Sequence, residues 1–383
     1  MRLAPIVAVA GLLALSTPAR AGLTPVESFG SNPGALDMFE YVPANLAANR
    51  PLVVVMHGCT QTAAAMEAAG WNALADQYQF AVLYPQQRSA NQQLGCFTWY
   101  AAGDTTRGAG EAASIVQMID TAIETHAIDR GHVYATGLSA GAAMTAVMLA
   151  AYPDRFAAGS IMAGVPYGCA VDVASGSTCA SSGAMKDAAQ WGDLVRAADP
   201  DFAGPYPRVQ IWHGSADYTV ATVNAAELVK QWTNVWATDA TAEATDTFGK
   251  ATRTQYRAGS RLAVELYLVD GMGHAIATGA DELGACPATS GAFFSDQQIC
   301  STLRAAQFFA LTGGGDDTDG GDTGGGGGDG SGTGGAPDEG GGGCSAGGGA
   351  GALALLALVA VRRRRHRPVR AGRRAPRSGD RPA

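Results

Sequence analysis

No two of the seven cysteines stand at Cys-x-x-Cys spacing, so the sequence carries no signature of a structural zinc site. The apolar runs near the two ends, 4–15 and 350–361, are both short of the about 20 residues that a membrane-spanning helix needs. From 313 to 343 there is no aromatic residue and no aliphatic one larger than Ala, which excludes a packed core there. Positive charge is sparse between the ends: residues 22–312 hold 14 Lys and Arg against 26 Asp and Glu, a net of −12, whereas the whole chain carries −8. An acidic domain argues against a nucleic-acid partner and is compatible with a neutral substrate. No internal repeat is present.

The ends carry addresses. Arg2, the apolar run, Pro18 and the small-x-small triplet Ala19-Arg20-Ala21 read as a secretory signal peptide over 1–21. The Gly- and Asp-rich stretch 313–343 is expected to be an extended acidic linker. The tail 344–383 holds Cys344, a short apolar segment and an Arg cluster at 362–367, with cations on the side that faces the cytoplasm. This order of parts resembles the C-terminal sorting tags of myxobacterial surface proteins. The resemblance implies processing or lipidation at Cys344, sorting machinery or a membrane as partner, and an extracellular or cell-surface location. The plainer alternative is a free Cys beside a tail-anchor helix.

That leaves 22–312 as a single ordered domain. Its six cysteines, Cys59, Cys96, Cys169, Cys179, Cys286 and Cys300, are an even number in a chain bound for an oxidising compartment. Of the 15 connectivities, proximity favours Cys169–Cys179 and Cys286–Cys300, which leaves Cys59–Cys96. Buried strands are expected at 51–58, 80–85, 132–137, 157–164, 208–214 and 261–271. Helices are expected at 63–78, 111–126, 140–152, 224–237 and 295–311. Strands alternating with helices predict an α/β domain, a mostly parallel sheet covered on both faces, with ligands beyond the carboxyl ends of the strands.

Three residues at those ends fit nucleophilic catalysis. Ser139 lies in Gly-Leu-Ser-Ala-Gly (137–141), between a strand and a helix, as a nucleophile elbow requires. Serine needs a base. Of the six histidines, His126 and His132 fall at the wrong end of the sheet, His57 and His213 read as structural, and His366 is in the tail. His274, in the loop after the sixth strand, is the candidate base. Asp217, at its own strand end, is the candidate acid, with Asp270 as competitor. The backbone N–H groups of Ala140 and Cys59 are the candidate oxyanion donors. Phe97, Trp99 and Trp212 are candidates to line an acyl groove; the alternative for each is core packing. The short segment 165–207 is expected to form a shallow cap. No metal or cofactor is required by this chemistry.

Dense motifs carry a resemblance across 39–311: HGCTQTAAAM, CFTWY, RGAGEAASIVQMID, TGLSAGAAM, RVQIWHGSADYTV and GMGHA. The chain resembles the polyhydroxybutyrate depolymerase family of esterases, which sits beside the feruloyl and acetylxylan esterases. The resemblance implies an α/β-hydrolase fold, the triad Ser139, Asp217 and His274, and an oxyanion role for Cys59. It implies a serine carboxylesterase acting on a polyester or its oligomers, or alternatively on feruloyl or acetyl esters of wall polysaccharide. A peptidase and a non-catalytic surface binder are more distant alternatives. One departure stands out: the linker leads to the sorting tail, where depolymerases of solid polyester usually carry a polymer-binding domain. Oligomeric state is not legible.

Overall fold

The computed structural model describes residues 22–239 and 241–313. The expected signal peptide, nearly all of the expected linker and the tail with Cys344 lie outside the described residues. Among the described residues, ten strands form one sheet: β1 (Thr24–Val26), β2 (Asp37–Tyr41), β3 (Leu52–Met56), β4 (Ala81–Gln86), β5 (Val133–Leu138), β6 (Ala158–Met162), β7 (Arg208–Gly214), β8 (Ala244–Phe248), β9 (Ala251–Ala258) and β10 (Arg261–Val269). Their order is β1-β2-β4-β3-β5-β6-β7-β10-β9-β8. The six central strands, β4 to β10 in that order, pair in parallel. Antiparallel pairs close both edges.

The six parallel strands are the six expected from sequence. Each is buried along most of its length, because helices cover both faces, and so reads as a largely apolar run, broken in β7 by Gln210 and His213 and in β10 by Glu265. The four others have no such run. β8, Ala-Thr-Asp-Thr-Phe, alternates between half-buried and exposed positions.

The nine helices of the described residues are α1 (Ala63–Met66), α2 (Trp71–Tyr78), α3 (Ala102–Thr105), α4 (Gly110–His126), α5 (Ala140–Ala151), α6 (Val173–Ser182), α7 (Ala188–Ala198), α8 (Val223–Val235) and α9 (Ser301–Phe308). One core lies between the sheet and α4, α5 and α8, with Ile115, Met148, Leu228 and Trp232 in it. A second lies on the opposite face under α1, α2 and α9, around Trp71, Leu74, Leu303 and Phe309. None of these helices is long and apolar enough to cross a membrane.

Two expected helices are corrected. The helix expected over 63–78 breaks at Gly70, whose φ of 87° suits a residue without Cβ, into α1, a 3-10 turn and α2. The helix expected from 295 starts later, at Ser301. Its first residues belong instead to β12 (Phe294–Asp296), which pairs with β11 (Ile276–Thr278). The segment 165–207 folds as α6 and α7, each opened by an Asp capping box, at Asp172 and Asp187.

The disulfides are Cys59–Cys96, Cys169–Cys179 and Cys286–Cys300. The first joins the loops after β3 and β4, the second closes the start of the cap, and the third ties a long loop to the cap of α9.

Candidate active site

Ser139 follows β5 with φ 57° and ψ −119°, a left-handed conformation that costs a non-glycine residue energy. Neighbouring backbone holds it there: its N–H donates to the Met162 carbonyl at 3.0 Å, and its own carbonyl accepts from Ala143 N at 2.9 Å. The flanking glycines are required by close approach. A Cβ on Gly137 would lie 2.5 Å from the Gly141 carbonyl, and one on Gly141 would lie 2.2 Å from the Met56 carbonyl oxygen. So the first turn of α5 packs against the end of β3, and its N-terminal amides sit beside the serine.

Asp217 follows β7 and His274 follows β10, and these strands are parallel neighbours. The two loops interlock: Ala216 N donates to the Met272 carbonyl at 3.0 Å, and a Cβ on Gly214 would lie 2.1 Å from the same oxygen. Asp217 Oδ2 therefore meets His274 Nδ1 at 2.8 Å, across 57 residues of chain. Its Oδ1 accepts the amides of Thr219 and Val220, each at 2.9 Å. Burial works to raise the Asp217 carboxyl pKa. The His274 hydrogen bond, the His274 charge and the two amides outweigh it and hold the pKa below the usual carboxylate value. Asp270, the competitor, is engaged elsewhere: it accepts from the Ser215 hydroxyl at 3.1 Å.

Ser139 and His274 line one cavity of about 170 Å³, with Gly58, Cys59, Thr60, Gln61, Leu138, Thr219 and Phe293. The amides of Cys59 and Ala140 have no hydrogen-bond partner among the described residues. Two unpaired donors flanking a serine suit a developing oxyanion. The Cys59 loop is held from three sides. Gly58 N donates to Gln61 Oε1 at 2.8 Å, the Cys96 disulfide anchors Cys59, and His57 lies beneath. His57 is fully buried. Its Nε2 accepts from Gln87 N at 3.0 Å, which leaves Nδ1–H to donate to the Gly58 carbonyl at 2.8 Å. Burial lowers its pKa, so it stays neutral and structural. His213 is likewise buried, with a lowered pKa, and Nε2 bonds the Val220 carbonyl at 2.8 Å.

Two of the proposed groove residues are corrected. Phe97 is 0% exposed and lies against the His57 ring at 4.9 Å. Trp212 is 2% exposed, stacked on Tyr267 at 4.0 Å, with its Nε1 donating to Gln210. Both support the site from within the core, and neither can touch a substrate. Trp99 is half-buried and lines a second cleft of about 270 Å³ with Tyr100, Tyr167, Val171 and Leu194. Sequence reasoning missed Phe293, whose ring stands edge-on to His274 at 6.2 Å. It sits in an irregular loop with no periodicity, so only the fold brings it to the cavity.

Residues 36–256 match the family described as Esterase PHB depolymerase. The chain is 48% identical over 307 residues to Poly(3-hydroxyalkanoate) depolymerase C of Paucimonas lemoignei, covering 79% of this chain and 73% of the relative. It is 36% identical over 267 residues to Feruloyl esterase B of Talaromyces funiculosus, covering 67% and 74%. Among solved structures, an acetyl xylan esterase from Aspergillus awamori superposes with a TM-score of 0.62 at 33% identity, over 66% of this chain and 94% of that one. An α/β-hydrolase sheet with a serine elbow, matched over most of its length by esterases, makes this chain a carboxylic ester hydrolase of the PHB depolymerase family.

Proposed function

We propose that the protein hydrolyses the ester bonds of a polyester such as poly(3-hydroxybutyrate), or of its oligomers, with Ser139, His274 and Asp217 as triad. The observation that carries the chemistry is the 2.8 Å bond from His274 Nδ1 to Asp217. A carboxylate only accepts, so Nδ1 holds the hydrogen and Nε2 keeps its lone pair for the Ser139 proton. Ser139 Oγ then adds to the ester carbonyl, and the amides of Cys59 and Ala140 receive the oxyanion. Collapse expels the alkoxide, which takes the proton from His274 and leaves an acyl-serine. Water, deprotonated by His274, repeats the addition and releases the acid.

Support for a polyester comes from the 48% identity to a relative named as a poly(3-hydroxyalkanoate) depolymerase. The cavity fits this reading. Apart from His274 its lining has no ionisable side chain, and about 170 Å³ is below the ~300 Å³ at which pockets begin to enclose a drug-sized ligand. A longer chain must then rest outside it, and the uncharged aromatic cleft at Trp99 offers such a surface. Three disulfides fit a secreted protein. Attachment to the cell surface through the tail belongs to the same proposal.

The relatives named feruloyl and acetylxylan esterases favour the second reading, esters of wall polysaccharide. Parallel rates on hydroxybutyrate oligomers, methyl ferulate and acetylated xylan separate the two. The proposal expects the highest kcat/KM on the oligomers; a preference for ferulate or xylan overturns it.

A further inference from the structure

Glu111 stands in the first turn of α4, is 2% exposed and lies outside the cavity of Ser139. With both nearby carboxylates counted as ionised, its short oxygen–oxygen contacts are one hydrogen short. Thr98 Oγ1 stands 2.7 Å from Glu111 Oε1 and 2.7 Å from Asp104 Oδ2. A hydroxyl has one hydrogen. It can fill one of these two gaps, and the other needs a hydrogen from a carboxyl group. Two ionised carboxylates around one hydroxyl would set lone pair against lone pair. The remaining donors are already assigned: Thr98 N bonds Glu111 Oε2 at 2.8 Å, Gln87 Nε2 bonds Glu111 Oε1, and Glu111 N faces Asp104 Oδ1 at 3.3 Å. No cation is bonded to Glu111 among the described residues; the other titratable groups that face it are Asp104 and Tyr100.

This cluster is tied to the oxyanion loop by two routes. Gln87 Nε2 also donates to the Cys96 carbonyl at 3.2 Å, and Cys96 is bonded to Cys59. The Gln87 backbone N–H donates to His57 Nε2, and Phe97 packs on the same ring. The loop 96–98 is thus held by Glu111 on one side and presses on His57 and Cys59 on the other.

We propose that Glu111 is a positioning residue of the esterase: a proton shared among Glu111, Thr98 and Asp104 fixes the loop that sets the Cys59 amide at the oxyanion. Burial, against the hydrogen bonds from Thr98 and with the Asp104 charge adding to it, pushes the Glu111 carboxyl up to about 7. As pH rises past that value the proton leaves, Thr98 is repelled by one carboxylate or the other, and the donor geometry loosens. The effect falls on kcat, because the oxyanion exists only beyond the ground state.

The test uses a short p-nitrophenyl ester, so it is independent of the polymer assignment. Glu111→Ala is expected to lower kcat about tenfold with KM little changed, less than the ~100-fold lost when an oxyanion donor is removed outright. Glu111→Gln is neutral at every pH but sets its NH2 against one of two donors, Gln87 Nε2 or Thr98 N, so it restores part of that loss. The ratio of its kcat to that of the wild type should rise severalfold between about pH 5.5 and about pH 8.5. A ratio that stays flat across that range overturns the proposal, whether or not the alanine variant folds.

Discussion

Asp217 Oδ2 lies 2.8 Å from His274 Nδ1, while the other oxygen of the same carboxylate takes two backbone amides of its own turn. The acid is fixed before the histidine reaches it. His213, beneath, bonds the Val220 carbonyl and closes that turn from the core side. The imidazole tautomer is therefore set by the tertiary structure and needs no substrate.

Asp217→Asn keeps the shape and removes the acceptor-only character of the partner. An amide can donate to Nδ1 and so favour the wrong tautomer. The expected loss is about 10⁴-fold in kcat with KM little changed. Steady-state kinetics on a soluble ester checks it, and a loss below tenfold would assign the acid elsewhere.

Ser139→Ala should lower kcat by about 10⁶-fold, the scale seen when a triad nucleophile is removed. A fluorophosphonate probe should label the wild type and leave the variant unlabelled. Equal labelling of the two would remove Ser139 from the mechanism.

Glu111 also predicts how stability depends on pH. Its folded pKa is raised, from 4.5 to about 7. The folded state therefore binds the proton more tightly than the unfolded chain. The stabilisation is full below 4.5 and is lost as pH rises toward 7, by on the order of 3 kcal/mol in all. Asp217 has the opposite sign: its folded pKa is lowered, so its contribution is present above 3.8 and lost as pH falls through the folded value. Urea unfolding from pH 4.5 to pH 7.5 should show a decline that Glu111→Gln removes, and an unchanged decline in that variant would contradict the sign.

Trp99→Ala should separate long substrates from short ones. Trp99 lines the cleft outside the serine cavity. Hydroxybutyrate oligomers should lose up to about tenfold in kcat/KM, for roughly 0.5–1.5 kcal/mol of aromatic contact, while p-nitrophenyl acetate changes little. Equal losses on both would place Trp99 in the general support of the fold.

The central fold was legible because parallel strands buried on both faces have to be largely apolar. Leu52–Met56 is such a run throughout, and Arg208–Gly214 and Arg261–Val269 stand out despite the buried polar residues Gln210 and Glu265 within them. The edge strands escaped because one side of each faces solvent, and residues such as those of Ala244–Phe248 look like any polar loop. The break at Gly70 was hidden inside an apolar pattern that continued through it.

For the site, the sequence by itself determined the order Ser139, Asp217, His274, because each stands where a buried strand ends and the strands can be read. Tertiary structure decided between Asp217 and Asp270: β7 and β10 are neighbours, and their interlocked loops turn one carboxylate to His274 and leave the other with Ser215. It also decided that Phe97 and Trp212 are support and not surface, since an aromatic residue has the same composition signature in a core as in a groove. The proton at Glu111 was beyond any reading of the chain, because it depends on three oxygens from separate segments meeting around a single hydroxyl hydrogen.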